Sequence, residues 1–211
     1  MVLERTRSTE PQHRLFLVAG HMVDKSTRPT PRFPQKAIPI AKRAIERTLD
    51  HFNVGPNDEA VSGGACGADL LFAEACLERG MRLRMYLALP EGEFLSQSVL
   101  YAGPDWLETF KRVKHHPRAE IIQLLASHEN FSATNPFERA NQHLADRARK
   151  HGLNHVNVIC LWNGTSGDGP GGTEDLVRTL KNEGVRVYTI DTCSLWRHDD
   201  SGEFESLEKM L

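Results

Sequence analysis

Glu59-Ala60-Val61-Ser62-Gly63-Gly64-Ala65-Cys66-Gly67-Ala68-Asp69 opens a stretch that continues through Leu70-Leu71-Phe72-Ala73 to Arg79 and Gly80. A short strand here turns on glycines into a largely apolar helix, which a C-terminal glycine closes. Such a strand-turn-helix is one half of a βαβ unit, and the flanking sequence repeats it. Upstream, Leu15-Phe16-Leu17-Val18-Ala19 is a short apolar run ending at Gly20-His21, which fits a strand buried on both faces. Ile38, Ala41, Ile45, Leu49 and Phe52 then recur at helical spacing, with Pro39 in the first turn where a missing N–H costs least. Residues 22 to 34 between them hold three prolines among Lys25, Arg28 and Arg32 and read as a long basic loop.

Downstream, Leu83, Met85, Leu87 and Leu89 alternate with other residues as a strand that stops at Pro90. Helical material follows at 94–101 and 106–113, then a strand at 121–125 and a helix over 136–150 with Phe137, Ala140, Leu144 and Ala148 on one face. A strand at 156–162, a glycine-rich loop to Thr173, a helix over 174–183 and a strand at 185–190 complete the pattern. Six strands alternating with five helical segments predict an α/β fold: a single doubly wound, mostly parallel, Rossmann-like sheet with helices on both faces. The domain is expected to span 13–192, with residues 1–12 a flexible leader and 193–211 a polar tail.

Composition narrows the function. A net charge of −2 and a pI of about 6.6 give no global basic field, so non-specific nucleic-acid coating is disfavoured. No apolar run has the length of a bilayer span, and the first residues lack a signal-peptide core, so a cytoplasmic protein with no membrane partner is expected. Cys66, Cys76, Cys160 and Cys193 show no Cys-x-x-Cys spacing, which predicts neither a disulfide framework nor a zinc site. No metal and no cofactor are expected.

Ligands of doubly wound sheets sit outside the carboxyl ends of the strands, so the residues after each strand are the candidates. Two of those turns are rich in glycine, and each opens a helix whose N-terminus favours an anion. The first contributes Ser62, Gly63, Gly64, Ala65, Gly67 and Asp69; the second contributes Gly169, Gly171, Gly172 and Thr173, the last placed to cap its helix. Both are expected to hold phosphate through backbone N–H groups, so Gly64→Val should abolish binding in a protein that still folds. Gly20 and His21 follow the first strand, and Glu91 follows the third, where an acidic residue takes ribose hydroxyls in dinucleotide folds. The basic loop is expected to move over the ligand.

The run Ser62-Gly63-Gly64-Ala65-Cys66-Gly67-Ala68-Asp69 resembles the signature of the SLOG superfamily, named for the Smf/DprA and LOG proteins, whose DprA-like members carry a Ser-Gly-x-Ala-x-Gly-x-Asp turn. Pro170-Gly171-Gly172-Thr173 is similar to the Pro-Gly-Gly-x-Gly-Thr-x-x-Glu motif of LOG-like members, shortened by one x-Gly pair. The resemblance implies a nucleotide or nucleotide-derived ligand and a role as a sensor or signalling module. It also implies an alternative, a phosphoribohydrolase that cleaves the N-glycosidic bond of a nucleoside monophosphate. Three residues after Thr173, where the LOG pattern has its glutamate, stands Leu176, so catalysis would fall to Arg139 and Glu174. DNA handling as in DprA-like members fits poorly with the charge balance. Whether a second copy of the chain or an effector protein is a partner stays open.

Overall fold

The computed structural model describes residues 13–124, 135–165, 171–198 and 204–206. Six parallel strands form one sheet: β1 (Leu15–Gly20), β2 (Glu59–Ser62), β3 (Arg82–Leu87), β4 (Ala119–Gln123), β5 (Val156–Trp162) and β6 (Arg186–Asp191), in the order β4-β3-β2-β1-β5-β6. The helices are α1 (Ile38–His51), α2 (Ala68–Glu78), α3 (Glu91–Ser98), α4 (Pro104–Lys114), α5 (Pro136–His151) and α6 (Thr173–Asn182). The fold is the expected α/β doubly wound, Rossmann-like sheet.

Period-two alternation within the strands divides the core into two layers. Phe16 and Val18 of β1 pack with Ile40 and Ile45 of α1, Leu70 and Phe72 of α2 and Phe110 of α4. Leu15, Leu17 and Ala19 pack on the opposite face with Leu144 of α5 and Leu176 and Leu180 of α6. Each fully buried Leu or Phe contributes about 1.5–3 kcal/mol relative to an exposed one. On the second face Glu59 receives both Arg84 and Arg147 at 2.6 Å, which ties α5 to β2 and β3 and fixes the wall it makes.

Several boundaries differ from the periodic reading. β3 ends at Leu87, because α3 begins at Glu91 just after Pro90. The two helical segments expected between β3 and β4 are present with earlier starts, α3 at Glu91 and α4 at Pro104, and a turn at Leu100–Ala102 with Gly103 at φ +117° separates them. Trp196, in the segment expected to be a polar tail, is buried. It lies in β7 (Trp196–His198), which pairs antiparallel with β8 (Phe204–Ser206). Among the described residues no helix is long and apolar enough to cross a membrane.

Candidate functional site

β1 lies between β2 and β5, so chain connections leave it in both directions and the strand order reverses there. A cleft of about 820 Å³ opens at the carboxyl ends of β1 to β3. Its walls come from the loop after β1 (Lys25, Thr27, Arg28, Arg32), the end of α3 with Tyr101, the glycine turn after β2, and the N-terminal parts of α5 and α6. Volume and mixed lining are those of a small-molecule site.

The glycine turn uses its donors internally. Gly64 N–H donates to Ser62 Oγ at 3.1 Å, Ala65 N–H to Asp69 Oδ2 at 3.2 Å and Cys66 N–H to the Ser98 carbonyl at 2.8 Å. Ala68 N–H donates to the His21 carbonyl at 3.0 Å. The glycines answer to packing: at Gly64, φ is +80° and a Cβ would lie 2.6 Å from the Met85 sulfur. At Gly67, φ is +107° and a Cβ would lie 2.6 Å from the His21 carbonyl oxygen. Of the predicted turn residues, Gly63, Ala65 and Asp69 line the cleft, whereas Ser62, Gly64 and Gly67 lie behind it. Four N–H groups of this turn, those of Gly64, Ala65, Cys66 and Ala68, are thus engaged within the protein, which makes the turn a braced corner as well as an edge of the cleft.

Asp69 is the one acidic side chain lining the cleft among the described residues. Desolvation by burial pushes its pKa up to about 7, against the opposing pull of the Ala65 N–H. Facing it in charge are Lys25, Arg28 and Arg32. Their loop has a closed neck: Asp24 Oδ2 accepts the N–H groups of Arg32 and Phe33, each at 2.7 Å, and Asp24 N–H donates to the Phe33 carbonyl at 2.9 Å. Arg28 Nε lies 3.1 Å from Asp24 Oδ1, and Lys25 Nζ sits 5.0 Å from the centre of the Tyr101 ring.

The second glycine turn is different. Gly171, at φ +88°, lies so close to α5 that a Cβ would come within 2.6 Å of Glu138 N. The Gly172 carbonyl accepts from Asn141 Nδ2 at 3.1 Å, and Thr173 Oγ1 donates to the Gly20 carbonyl at 3.0 Å. α6 starts at Thr173 with Gly172 as its N-cap, and glycine has no side-chain oxygen with which to cap the first turn. The first N–H groups of a helix have no intrahelical partner, and the helix dipole adds positive potential there. Gly171, Gly172 and Thr173 line the cleft; Gly169 falls outside the described residues.

The remaining predicted residues divide. Gly20 lines the cleft, but its missing side chain serves packing, since a Cβ would lie 2.5 Å from the Ala68 Cβ. His21 is buried and turned toward the loop after β5, where its Nε2 accepts the Asn163 N–H at 3.2 Å and lies 3.1 Å from Asn163 Oδ1. Glu91 lies outside the cleft lining, with both carboxylate oxygens 2.6 Å from Lys114 Nζ. Neither Arg139 nor Glu174 lines the cleft, whereas Leu176 does. Sequence reasoning missed Tyr86, Ser98 and Tyr101 as lining residues. Tyr86 looks like the polar half of a strand, and Ser98 and Tyr101 fall in a segment whose signal is helical.

No family model matches the chain, and no curated protein does either. Among solved structures it is similar to DNA processing protein A (DprA) from Streptococcus pneumoniae, at 14% identity and a TM-score of 0.42, over 87% of this chain and 61% of that one. It is also similar to the protein TM1055, at 15% identity and a TM-score of 0.42, over 82% of this chain and 72% of that one.

Proposed function

We propose that this chain is a SLOG-type domain that binds a nucleotide or nucleotide-derived ligand, with phosphate directed at the N-terminus of α6 and the basic loop. One observation carries the reading: the first turn of α6, with Gly172 as its N-cap, opens on a cleft that Lys25, Arg28 and Arg32 also line and in which Asp69 is the one carboxylate among the described residues. Charge-assisted hydrogen bonds from such groups contribute about 1.5–3 kcal/mol each, enough for a few of them to dominate recognition of a small anion. The aromatic and aliphatic lining, Tyr86, Phe137 and Leu144 among it, suits a base or another flat apolar group.

The phosphoribohydrolase alternative has less support. It assigns catalysis to Arg139 and Glu174, which stand outside the lining, and the position nearest the LOG pattern's acid carries the Leu176 side chain. An apolar group there neither transfers a proton nor stabilises an oxocarbenium charge. The placing of both assigned catalytic residues outside the lining favours a sensor or signalling role.

Thermal-shift titration with AMP, ADP, ADP-ribose and NAD tests the proposal. A ligand at one hundred times its Kd adds about 2.7 kcal/mol to apparent stability. At least one nucleotide is expected to raise the Tm by several degrees, and the Arg28→Ala/Arg32→Ala double variant is expected to lose the shift. No shift with any of them at millimolar concentration would refute nucleotide binding.

A further inference from the structure

We propose that the Asp69 carboxylate receives the ribose hydroxyls of the bound nucleotide and makes the cleft selective for ribonucleotides over deoxyribonucleotides. This inference rests on the nucleotide-binding reading and specifies which end of the ligand goes where.

Three features carry it. First, Asp69 lines the cleft, and its one hydrogen bond there is the long contact from Ala65 N–H to Oδ2 at 3.2 Å. A carboxylate offers about four acceptor sites, so that one bond leaves acceptor capacity for a ligand's donors. Second, Gly63 keeps that carboxylate open. A Cβ at residue 63 would lie 2.7 Å from Asp69 Oδ2, so any larger residue would crowd the group that the cleft presents. Third, Asp69 and the start of α6 flank the same glycine. Gly20 accepts the Thr173 hydroxyl at 3.0 Å on one side, and on the other its would-be Cβ meets the Ala68 Cβ at 2.5 Å, one residue before Asp69.

Charge decides what binds at each end. A phosphate beside Asp69 is repelled whenever that carboxyl is ionised, and four donors of the glycine turn that might have offset this, the N–H groups of Gly64, Ala65, Cys66 and Ala68, are already engaged by Ser62, Asp69, Ser98 and His21. The phosphate therefore belongs with α6 and the basic loop, and the group beside Asp69 must donate hydrogen bonds. In a nucleotide the donors nearest the 5′-phosphate are the ribose hydroxyls, joined to it through C5′. A vicinal diol gives two O–H donors to one carboxylate, the same chemistry by which acidic residues hold ribose in dinucleotide folds. Asp69 does so here from the start of the second helix, a different place from Glu91 after the third strand.

The test is calorimetric titration of the wild-type protein and Asp69→Asn with AMP, GMP, CMP and UMP, each beside its 2′-deoxy and 3′-deoxy counterpart. Asparagine keeps a side-chain oxygen for the Ala65 N–H and so preserves the turn; a single cooperative melt and an unchanged circular dichroism spectrum confirm the fold of each preparation. Wild type is expected to bind the best ribonucleotide at least about tenfold more tightly than its deoxy forms, the size of one lost hydrogen bond to a charged group. Asp69→Asn is expected to reduce that ratio to about twofold or less, a change that a purely structural role for Asp69 would not produce. Gly63→Ala, which crowds the carboxylate without altering its charge, should lower the ratio in the same direction. Binding of ribo- and deoxyribonucleotides with equal affinity by wild type, or an unchanged ratio in Asp69→Asn, overturns the proposal while leaving nucleotide binding intact. Absence of binding by all of them overturns both.

Discussion

Gly64 shows how a single residue changes meaning between sequence and structure. In the sequence it is the centre of a phosphate-loop-like turn; in the fold its φ of +80° and the Met85 sulfur 2.6 Å from a would-be Cβ make it a packing residue. Gly64→Val is therefore expected to destabilise the protein by about 1–3 kcal/mol through backbone strain and overpacking, rather than to leave a folded non-binder. A urea melt reads this directly, and an unchanged midpoint would contradict it. The turn's glycines were legible as necessary, but their purpose was not. It depends on Ser98 and His21, partners brought in from other elements. Asp69 makes a second prediction. Burial pushes its pKa from the ordinary 3.8 up to about 7, so between those values the folded state holds the proton that the unfolded chain has released. Its contribution to stability is then fully present below the unfolded pKa and is lost as pH rises through about 7. Melting wild type and Asp69→Asn side by side from pH 5 to pH 8 should show the variant gaining on wild type as pH rises. A difference that stays flat across that window would rule this out.

At the scale of elements, the segment after β6 and the loop after β1 act together. Trp196 stacks on Phe33 with ring centres 5.5 Å apart and planes 22° from parallel, and its Nε1 donates to the Arg32 carbonyl at 3.3 Å. Phe33 is fully buried and forms one side of the neck that Asp24 closes, so Trp196 holds the base of the loop that presents Lys25, Arg28 and Arg32. Trp196→Ala should cost about 3–5 kcal/mol, as large-to-small changes of buried aromatics do, and should expose the loop. Limited trypsin digestion is expected to cut after Lys25 or Arg32 much faster in Trp196→Ala than in Trp196→Phe, which keeps the stack. Equal cleavage in both would mean that the loop is held elsewhere. The elements themselves were largely legible: apolar strand runs and helical periodicity found all six strands of the sheet. The role of Trp196 was not, because one tryptophan in a polar stretch has no periodicity to betray its partner. The expected motion of the basic loop rests on its length, its prolines and its place after the first strand, whereas the neck at Asp24 is a tertiary feature.

For the whole molecule, alternation of strand and helix located the cleft before any side chain was placed, because a doubly wound sheet binds where its strand order reverses. That end of the sheet collects Lys25, Arg28 and Arg32 in a chain whose net charge is −2, so three cations line the cleft although the chain as a whole is slightly acidic. What sequence could not supply was the direction of each donor, and with it the split between a phosphate end at α6 and a hydroxyl end at Asp69. The central claim is that phosphate, held by the α6 terminus and the basic loop, anchors the ligand. Calorimetric titration of the protein with a nucleoside 5′-monophosphate and with the same nucleoside lacking phosphate tests it most directly. Loss of two or more charge-assisted hydrogen bonds predicts that the nucleoside binds at least about one hundredfold more weakly, with the nucleotide's affinity falling as salt is added. Equal affinity for the two, or no binding of the nucleotide, would contradict the account.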